Sequence, residues 1–185
     1  MILLRHGQSE FNLHFSATKR DPGITDPRLT ALGQVQAEAA AEALRGAGIT
    51  RIVASPYTRA LQTASPTARA LRLPVLVHPD VRERFHFSCD IGTHRQTLAA
   101  AWPEHDFAHL DEVWWPSDTE TVASVTERAE RFRAEMLADP QWATTLVVSH
   151  WAFILTLSGH SLENGTWIRF DPSGLRGPAD LSHYR

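Results

Sequence analysis

Three short apolar runs set the framework of the chain. They occupy residues 2–4, 52–54 and 146–148, and each is too short to form a helix. β-Branched residues in the second and third runs favour buried strands of the kind found in parallel sheets. Residues 75–77 and 166–170 are weaker strand candidates, and we expect the latter at a sheet edge.

Apolar residues recur at helical spacing between the first two runs. Leu32, Val35, Ala39 and Leu44 follow Thr30, a favourable N-cap. Glycines at positions 46 and 48 are expected to end this helix.

Three more helices are predicted along the chain. Ser55-Pro56 combines an N-cap residue with proline at the first helical position, and that helix should end before Pro74. Residues 120–138 carry a third apolar stripe that includes Val122. A further helix is expected to begin at His150 or Trp151.

Strands that alternate with helices predict an α/β fold, a three-layer α/β/α sandwich with a largely parallel central sheet. Residues 9–30 and 79–119 show no clear period, and irregular segments of that length usually contribute to a functional site. A length of 185 residues corresponds to one domain, which we assign to residues 1–185.

Composition narrows the classes of partner. The net charge of −3 provides no basic field for nucleic acid or an anionic membrane. No apolar run approaches the roughly 20 residues of a membrane span. The single cysteine, Cys89, cannot form an intrachain disulfide, which fits a reducing cytoplasm. We therefore predict a cytoplasmic protein without nucleic-acid or membrane partners.

The strongest chemical signal lies directly after the three apolar runs. The first run is followed by Arg5 and His6, the second by a helix start that contains Arg59, and the third by His150. Ligands of open α/β sheets bind beyond the carboxyl ends of the strands. If the strands are parallel neighbours, two arginines and two histidines converge on one site suited to a phosphate dianion.

The two imidazoles are expected to have different roles. The flanking arginines disfavour an imidazolium at His6, so that ring should be neutral and nucleophilic. Its attack on a phosphoryl group would give a phosphohistidine. His150 is predicted to be a protonated donor to a phosphoryl oxygen. No metal or cofactor is expected, since the arginines supply the positive charge.

The motifs at these positions resemble those of the histidine phosphatase superfamily, in its phosphoglycerate mutase-like branch. The matching segments are residues 4–12 (LRHGQSEFN), 29–33 (LTALG), 55–64 (SPYTRALQTA) and 147–150 (VVSH). The resemblance implies an α/β fold with His6 as the phosphorylated nucleophile. It also implies a phosphate-binding set formed by Arg5, Arg59 and His150, with Asn12 assisting.

The same resemblance points to Glu83 as the general acid, because residues 81–84 (VRER) are similar to the segment that carries a catalytic Glu in the mutase-like branch. The acid phosphatase branch has Asp after its second histidine, whereas Trp151 stands here. Asp80 and Asp90 are the alternative acids. A surface ion pair with a neighbouring arginine is the structural interpretation of Glu83.

Hydrolysis is the preferred reaction. The mutases carry an insertion with extra cationic residues, which this chain is too short to hold in recognisable form. The predicted partner is a small phosphorylated metabolite, and a homodimer is left open. Further substrate contacts are assigned to Gly23, Arg84, His86 and Arg95. A phosphoglycerate mutase-type phosphotransferase and a non-catalytic phospho-ligand binding protein remain the alternatives.

Three other patterns in the sequence allow different interpretations. Residues 89–95 fit the C-x-x-G-x-x-R loop of cysteine-dependent phosphatases, but a packed cysteine is favoured because no good strand precedes it. His105 and His109 have a metal-ligand spacing, although solvated histidines are favoured. The tryptophans at positions 114, 115 and 151 are interpreted as core or loop packing in preference to a substrate cage.

Overall fold

The computed structural model describes residues 1–174, and its centre is a five-stranded sheet with the order β3-β2-β4-β1-β5. The strands are β1 (Ile2–Arg5), β2 (Arg51–Ala54), β3 (Val75–Val77), β4 (Thr145–Ser149) and β5 (Trp167–Arg169). The first four strands are parallel, and β5 runs antiparallel to β1 at the edge. The predicted strands and the largely parallel sheet are confirmed.

Within residues 1–174, six α-helices surround the sheet: α1 (Glu10–Thr18), α2 (Ala31–Leu44), α3 (Thr58–Leu71), α4 (Arg95–Ala101), α5 (Val122–Ala138) and α6 (Trp151–Ser158). Alternate strand residues face opposite layers, as the pleat requires. Leu4 and Val148 pack with α2, α3 and α4, whereas Leu3 and Val147 pack with α5 and α6. This arrangement is the predicted three-layer α/β/α sandwich.

The buried face of α2 differs from the prediction. Leu32 and Val35 are 51% and 64% exposed. The buried face is formed instead mainly by alanines, including Ala37 and Ala41, together with Leu44. Small side chains allow α2 to pack closely on α3. The contact between the two helices is therefore made mainly by alanines and not by the largest side chains of α2. Val122 is also exposed, because it is the first residue of α5.

Two other local predictions need correction. The helix after β2 begins at Thr58 with Tyr57 as N-cap, and Ser55 does not cap it. The segment 9–30 contains α1, which the sequence pattern did not reveal. Ser9 caps that helix by accepting a hydrogen bond from the Asn12 amide at 3.3 Å. The segment 79–119 contains α4 and two short 3₁₀ turns.

No helix in residues 1–174 combines the length and the apolar character needed to cross a bilayer.

Candidate active site

The carboxyl ends of the parallel strands meet at one edge of the sheet and bring the predicted residues together. His6 follows β1, and His150 follows β4, its neighbour in the sheet. Arg59 lies in the first turn of α3, directly after β2. Arg5, His6 and Arg59 line a cavity of about 220 Å³, and Glu83 lines it as well.

The His6 ring is held as one tautomer. Its Nδ1 lies 2.7 Å from the Gly7 carbonyl oxygen, which can only accept, so Nδ1 carries the proton. The lone pair is therefore on Nε2. Burial, followed by the charges of Arg59 and Arg5, holds the pKa of His6 well below its usual value. The direction of this pKa shift agrees with the predicted neutral ring, although burial contributes more than the arginines.

His150 packs against His6 with 5.0 Å between the ring centroids. It is fully buried, and it does not belong to the cavity wall. Its Nε2 lies 2.8 Å from the Ser55 hydroxyl. Burial, followed by Arg59 and His6, holds the pKa of His150 well below its usual value. This direction favours the neutral ring, whereas the sequence predicted an imidazolium. Its bond to a phosphoryl oxygen stays a prediction.

The Arg59 guanidinium is fixed from two sides. It donates to the Cys89 carbonyl at 2.8 Å and to Asp90 Oδ1 at 3.3 Å. It also lies 4.3 Å from the centroid of the Tyr57 ring, within the range of a cation–π contact. Arg5 donates to the Leu162 carbonyl at 2.7 Å. Both guanidinium groups are thus held in place at the same cavity before any ligand arrives.

Asp90 is an ion-pair partner of Arg59. From sequence it was predicted only as an alternative to Glu83 as the general acid. Its carboxyl is 1% exposed and lines the cavity. Burial, assisted by the nearby Glu83 charge, raises the pKa of Asp90 to about 6 against the opposing effect of Arg59. Asp90 Oδ2 also accepts from the His86 and Phe87 amides at 3.1 and 3.0 Å.

Glu83 is bound by backbone amides and not by a neighbouring arginine. Its carboxylate accepts from the Ala152 amide at 3.0 Å and from the Phe153 amide at 3.2 Å, both at the start of α6. Arg82 pairs with Glu120 instead, at 2.9 Å. The surface ion-pair interpretation is therefore wrong for Glu83, which is 7% exposed.

The segment that carries Glu83 is anchored by Arg128 of α5, a residue that sequence reasoning missed. Arg128 is 1% exposed. Its guanidinium donates to the carbonyls of Asp80 and Arg82 at 2.8 Å and to that of Glu83 at 3.2 Å. It also donates to both carboxylate oxygens of Glu120, at 3.2 and 2.8 Å. A buried charge satisfied by five acceptor contacts fixes the loop backbone beneath the carboxylate.

Asn12 lies on the cavity wall, as predicted. Its side-chain oxygen accepts from the Ser9 amide at 3.1 Å and from Asn164 Nδ2 at 3.2 Å. The oxygen is therefore engaged by the N-cap residue of α1 and by a residue of the segment before β5.

The four further substrate contacts predicted from sequence do not lie on the cavity wall: Gly23, Arg84, His86 and Arg95. Gly23 sits in an exposed turn, where its amide donates to Asp21. Arg95 lies 3.4 Å from Glu112.

The other two residues, Arg84 and His86, also have their contacts outside the cavity wall. The Arg84 Nε donates to the Glu120 carbonyl at 2.9 Å. The His86 ring packs edge-on against Phe87 at 4.6 Å. Loop conformation, which the local sequence pattern does not encode, directs these residues elsewhere.

Four aromatic residues also line the cavity. Phe11 and Phe15 come from α1, Phe87 from the segment before Cys89, and Trp151 from the start of α6. The four-residue spacing of Phe11 and Phe15 is a helical signal that the irregular assignment of residues 9–30 concealed. Trp151 packs against the core that contains α5 and α6, as predicted, and it also lines the cavity. Trp114 is buried in the core beside Tyr57.

The alternative nucleophile is not supported by the geometry. Cys89 lies in a 3₁₀ turn and not at a strand end. Burial, followed by the Asp90 charge, raises the pKa of its thiol well above the usual value. A protonated, packed thiol agrees with the favoured interpretation.

The metal-site alternative is not supported within residues 1–174. No cluster of three or more His, Cys, Asp or Glu side chains there has a geometry that could hold a metal ion. The side chain of His105 is only 6% exposed and stacks on Trp102 at 5.7 Å, so it is not the solvated histidine predicted. The ring of His109 contacts the Val77 carbonyl at 2.9 Å.

The fold and the cavity together define an α/β protein with an anion site beyond its strand ends, built around a histidine and two arginines. The sequence profile of the histidine phosphatase superfamily (branch 1) matches residues 1–176. This chain belongs to that superfamily.

Individual relatives agree with this assignment. The chain is 34% identical over 177 residues to a bifunctional protein, Rv2228c, of Mycobacterium tuberculosis, covering 92% of this chain but only 46% of that protein. It is 33% identical to a probable phosphoglycerate mutase, GpmB, of Proteus mirabilis, covering 81% and 68% of the two chains.

A glucosyl-3-phosphoglycerate phosphatase of Mycobacterium tuberculosis is 31% identical over 88% of this chain and 75% of its own. The solved structure of the mycobacterial glucosyl-3-phosphoglycerate phosphatase with VO3 superimposes with a TM-score of 0.64 at 27% identity, covering 90% and 88% of the two chains. The relatives thus include both phosphatases and mutases.

Proposed function

We propose that this chain is a phosphomonoester hydrolase that acts through a phosphohistidine on His6. The observation that carries the proposal is that His6, with its Nδ1 proton held by the Gly7 carbonyl and its pKa lowered, lines the same cavity as Arg5 and Arg59. Two fixed cations can bind phosphoryl oxygens while the lone pair attacks phosphorus. The phosphatases among the relatives support the same reaction class.

The reaction divides into two balanced steps. In the first, Nε2 of His6 forms a bond to phosphorus as the ester P–O bond breaks, and Glu83 gives its proton to the leaving oxygen. In the second, Glu83 accepts a proton from water as the water oxygen bonds to phosphorus and the P–Nε2 bond breaks, which releases inorganic phosphate and restores the neutral His6 ring. Arg5 and Arg59 offset the phosphoryl charge throughout. The Gly7 carbonyl stabilises the positive charge that develops on the ring through the Nδ1 proton.

A phosphoglycerate mutase is the second candidate, because a probable mutase is among the relatives. A mutase must hold a carboxylated phosphoglycerate and exclude water from its phosphoenzyme. On the described cavity wall, the two arginines are the only arginine or lysine side chains, and both are assigned to the phosphoryl group. Hydrolysis is therefore the better fit.

The expected physiological partner is a small phosphorylated metabolite in the cytoplasm. The single cysteine and the net charge of −3 support that setting and argue against nucleic acid or membrane partners. A homodimer stays a prediction.

Trapping of the phosphoenzyme tests the proposal. Rapid acid-free quenching with ³²P-labelled substrate should give an acid-labile, nitrogen-linked phosphate. His6→Ala should abolish both the label and the turnover of p-nitrophenyl phosphate. His14→Ala is the matched control, since His14 is an exposed histidine on α1 outside the cavity.

Three results would contradict the proposal. Label retained in His6→Ala but lost in Cys89→Ser would move the nucleophile to the thiol. Binding of phosphate without any turnover would identify a non-catalytic phospho-ligand protein. Loss of activity with EDTA would require a metal mechanism.

A further inference from the structure

Three phenylalanine rings form a continuous apolar surface in the same cavity. Phe11 and Phe15 stack at 5.3 Å along α1, and Phe87 contacts them at 5.5 and 5.1 Å. All three rings line the cavity, together with Trp151. We call Phe11, Phe15, Phe87 and Trp151 the aromatic wall.

Part of the aromatic wall stays exposed and is not buried in the hydrophobic core. Phe11 is 5% exposed, but Phe15, Phe87 and Trp151 are only half-buried. Apolar surface that remains accessible in a concave site, next to a few convergent polar groups, is characteristic of a ligand pocket. Because the wall is continuous with the phosphoryl site, the group that it contacts is the alcohol portion of the ester.

Charge on the cavity wall argues against an anionic alcohol portion. The only lysine or arginine side chains on the described wall are Arg5 and Arg59, while Glu83 and Asp90 contribute carboxyl groups. The single lysine, Lys19, lies 6.0 Å from the Phe15 ring but outside the wall. A second anionic group on the substrate would therefore meet carboxylates and aromatic rings instead of a cation.

We propose that the aromatic wall is a leaving-group subsite for an uncharged aromatic alcohol. The inference rests on the proposed phosphatase activity and names its substrate class: phosphomonoesters whose alcohol carries a neutral aromatic ring, in preference to carboxylated esters such as 3-phosphoglycerate. Ring–ring contact with the phenylalanines and removal of apolar surface from water supply the selectivity.

Three esters of primary alcohols separate ring recognition from leaving-group reactivity. Ethyl phosphate and 2-phenylethyl phosphate have leaving alcohols of similar acidity and differ in the ring, whereas 3-phosphoglycerate adds a carboxylate. We expect kcat/KM for 2-phenylethyl phosphate to exceed that for ethyl phosphate about tenfold or more, which corresponds to about 1.4 kcal/mol. The 3-phosphoglycerate value should be the lowest of the three.

Substitutions in the aromatic wall test whether its rings cause the preference for the aromatic ester. Phe15→Ala and Phe87→Ala should each lower the ratio of kcat/KM for 2-phenylethyl phosphate to kcat/KM for ethyl phosphate about fivefold to tenfold. Leu13→Ala is the matched control, because Leu13 is an apolar residue of α1 that is 52% exposed and outside the cavity. It should retain the full ring preference.

A binding measurement on the wild-type protein keeps the inference testable if a variant does not fold. The non-hydrolysable 2-phenylethyl phosphonate should inhibit p-nitrophenyl phosphate turnover at a concentration about tenfold lower than ethyl phosphonate. Equal inhibition, equal kcat/KM for the two esters, or a preference for 3-phosphoglycerate would overturn the subsite while the phosphatase stands. Absence of both turnover and phosphoenzyme with every ester would instead overturn the proposed function.

Discussion

The inner and outer ends of the cavity are built in different ways. At the inner end, His6 follows a strand, Arg59 opens a helix, and both have fixed hydrogen-bond partners within the protein. At the outer end, Phe15 and Phe87 are half-buried and come from α1 and a connecting segment. The sheet therefore fixes the groups for phosphoryl chemistry, whereas peripheral segments determine what else the cavity accepts. Substitutions at the two ends should have separable effects.

The largest difference in kcat/KM is expected between substitutions of Arg59, at the inner end, and Arg95, outside the cavity. Arg59→Ala removes a fixed guanidinium from the phosphoryl site and should reduce kcat/KM about 10³-fold for every ester. Arg95→Ala should change it less than about twofold, because Arg95 pairs with Glu112 away from the cavity. Steady-state kinetics with ethyl and 2-phenylethyl phosphates would measure both. Equal losses in the two variants would mean that the phosphate site is misplaced.

A smaller effect that depends on the leaving group is expected for Glu83→Gln. The amide keeps its size but cannot exchange a proton, so hydrolysis of ethyl phosphate should fall about 10²-fold or more. The first step with p-nitrophenyl phosphate should fall much less, because p-nitrophenolate leaves without protonation. Rapid-quench kinetics would resolve this step from hydrolysis of the phosphoenzyme. The same loss with both esters in the first step would assign the proton transfer elsewhere, with Asp90 the next residue to substitute.

The smallest expected effect is on the free energy of unfolding, and it comes from the ionisation of Asp90 at the inner end of the cavity. Burial raises the pKa of Asp90 to about 6 from 3.8. Between these values the native chain binds more protons than the unfolded chain, so ionisation of Asp90 lowers the free energy of unfolding as pH rises from about 4 to 6. Asp90→Asn removes that ionisation and should remove its pH dependence.

Urea unfolding of both proteins at several pH values measures this difference. The free energy of unfolding of the wild type minus that of Asp90→Asn should fall by on the order of 1–3 kcal/mol between pH 4 and pH 7. Burial lowers the pKa of His6 and His150, which destabilises the native state as pH falls below 6.5, but both proteins share this effect. A difference that stays constant with pH would show that Asp90 is not perturbed in the native state.

Much of the fold was determined locally by the sequence. The apolar runs before His6 and His150 predicted parallel strands because continuous apolar character is required when both faces of a strand are buried. The helix that follows Thr30 was predictable because its capping chemistry is local. The convergence of Arg5, Arg59 and the two histidines followed from a general rule for the carboxyl ends of parallel strands.

Only the tertiary structure decided which side chains reach the cavity. Arg84 and Arg95 carry the charge expected of substrate contacts, yet carboxylate and carbonyl partners distant in sequence hold them elsewhere. The lowered pKa of His150 likewise depends on complete burial, which no local pattern specifies. Sequence determines the chemistry that each residue can perform. Burial and long-range contacts determine its ionisation and direction, because both depend on neighbours brought together only by folding.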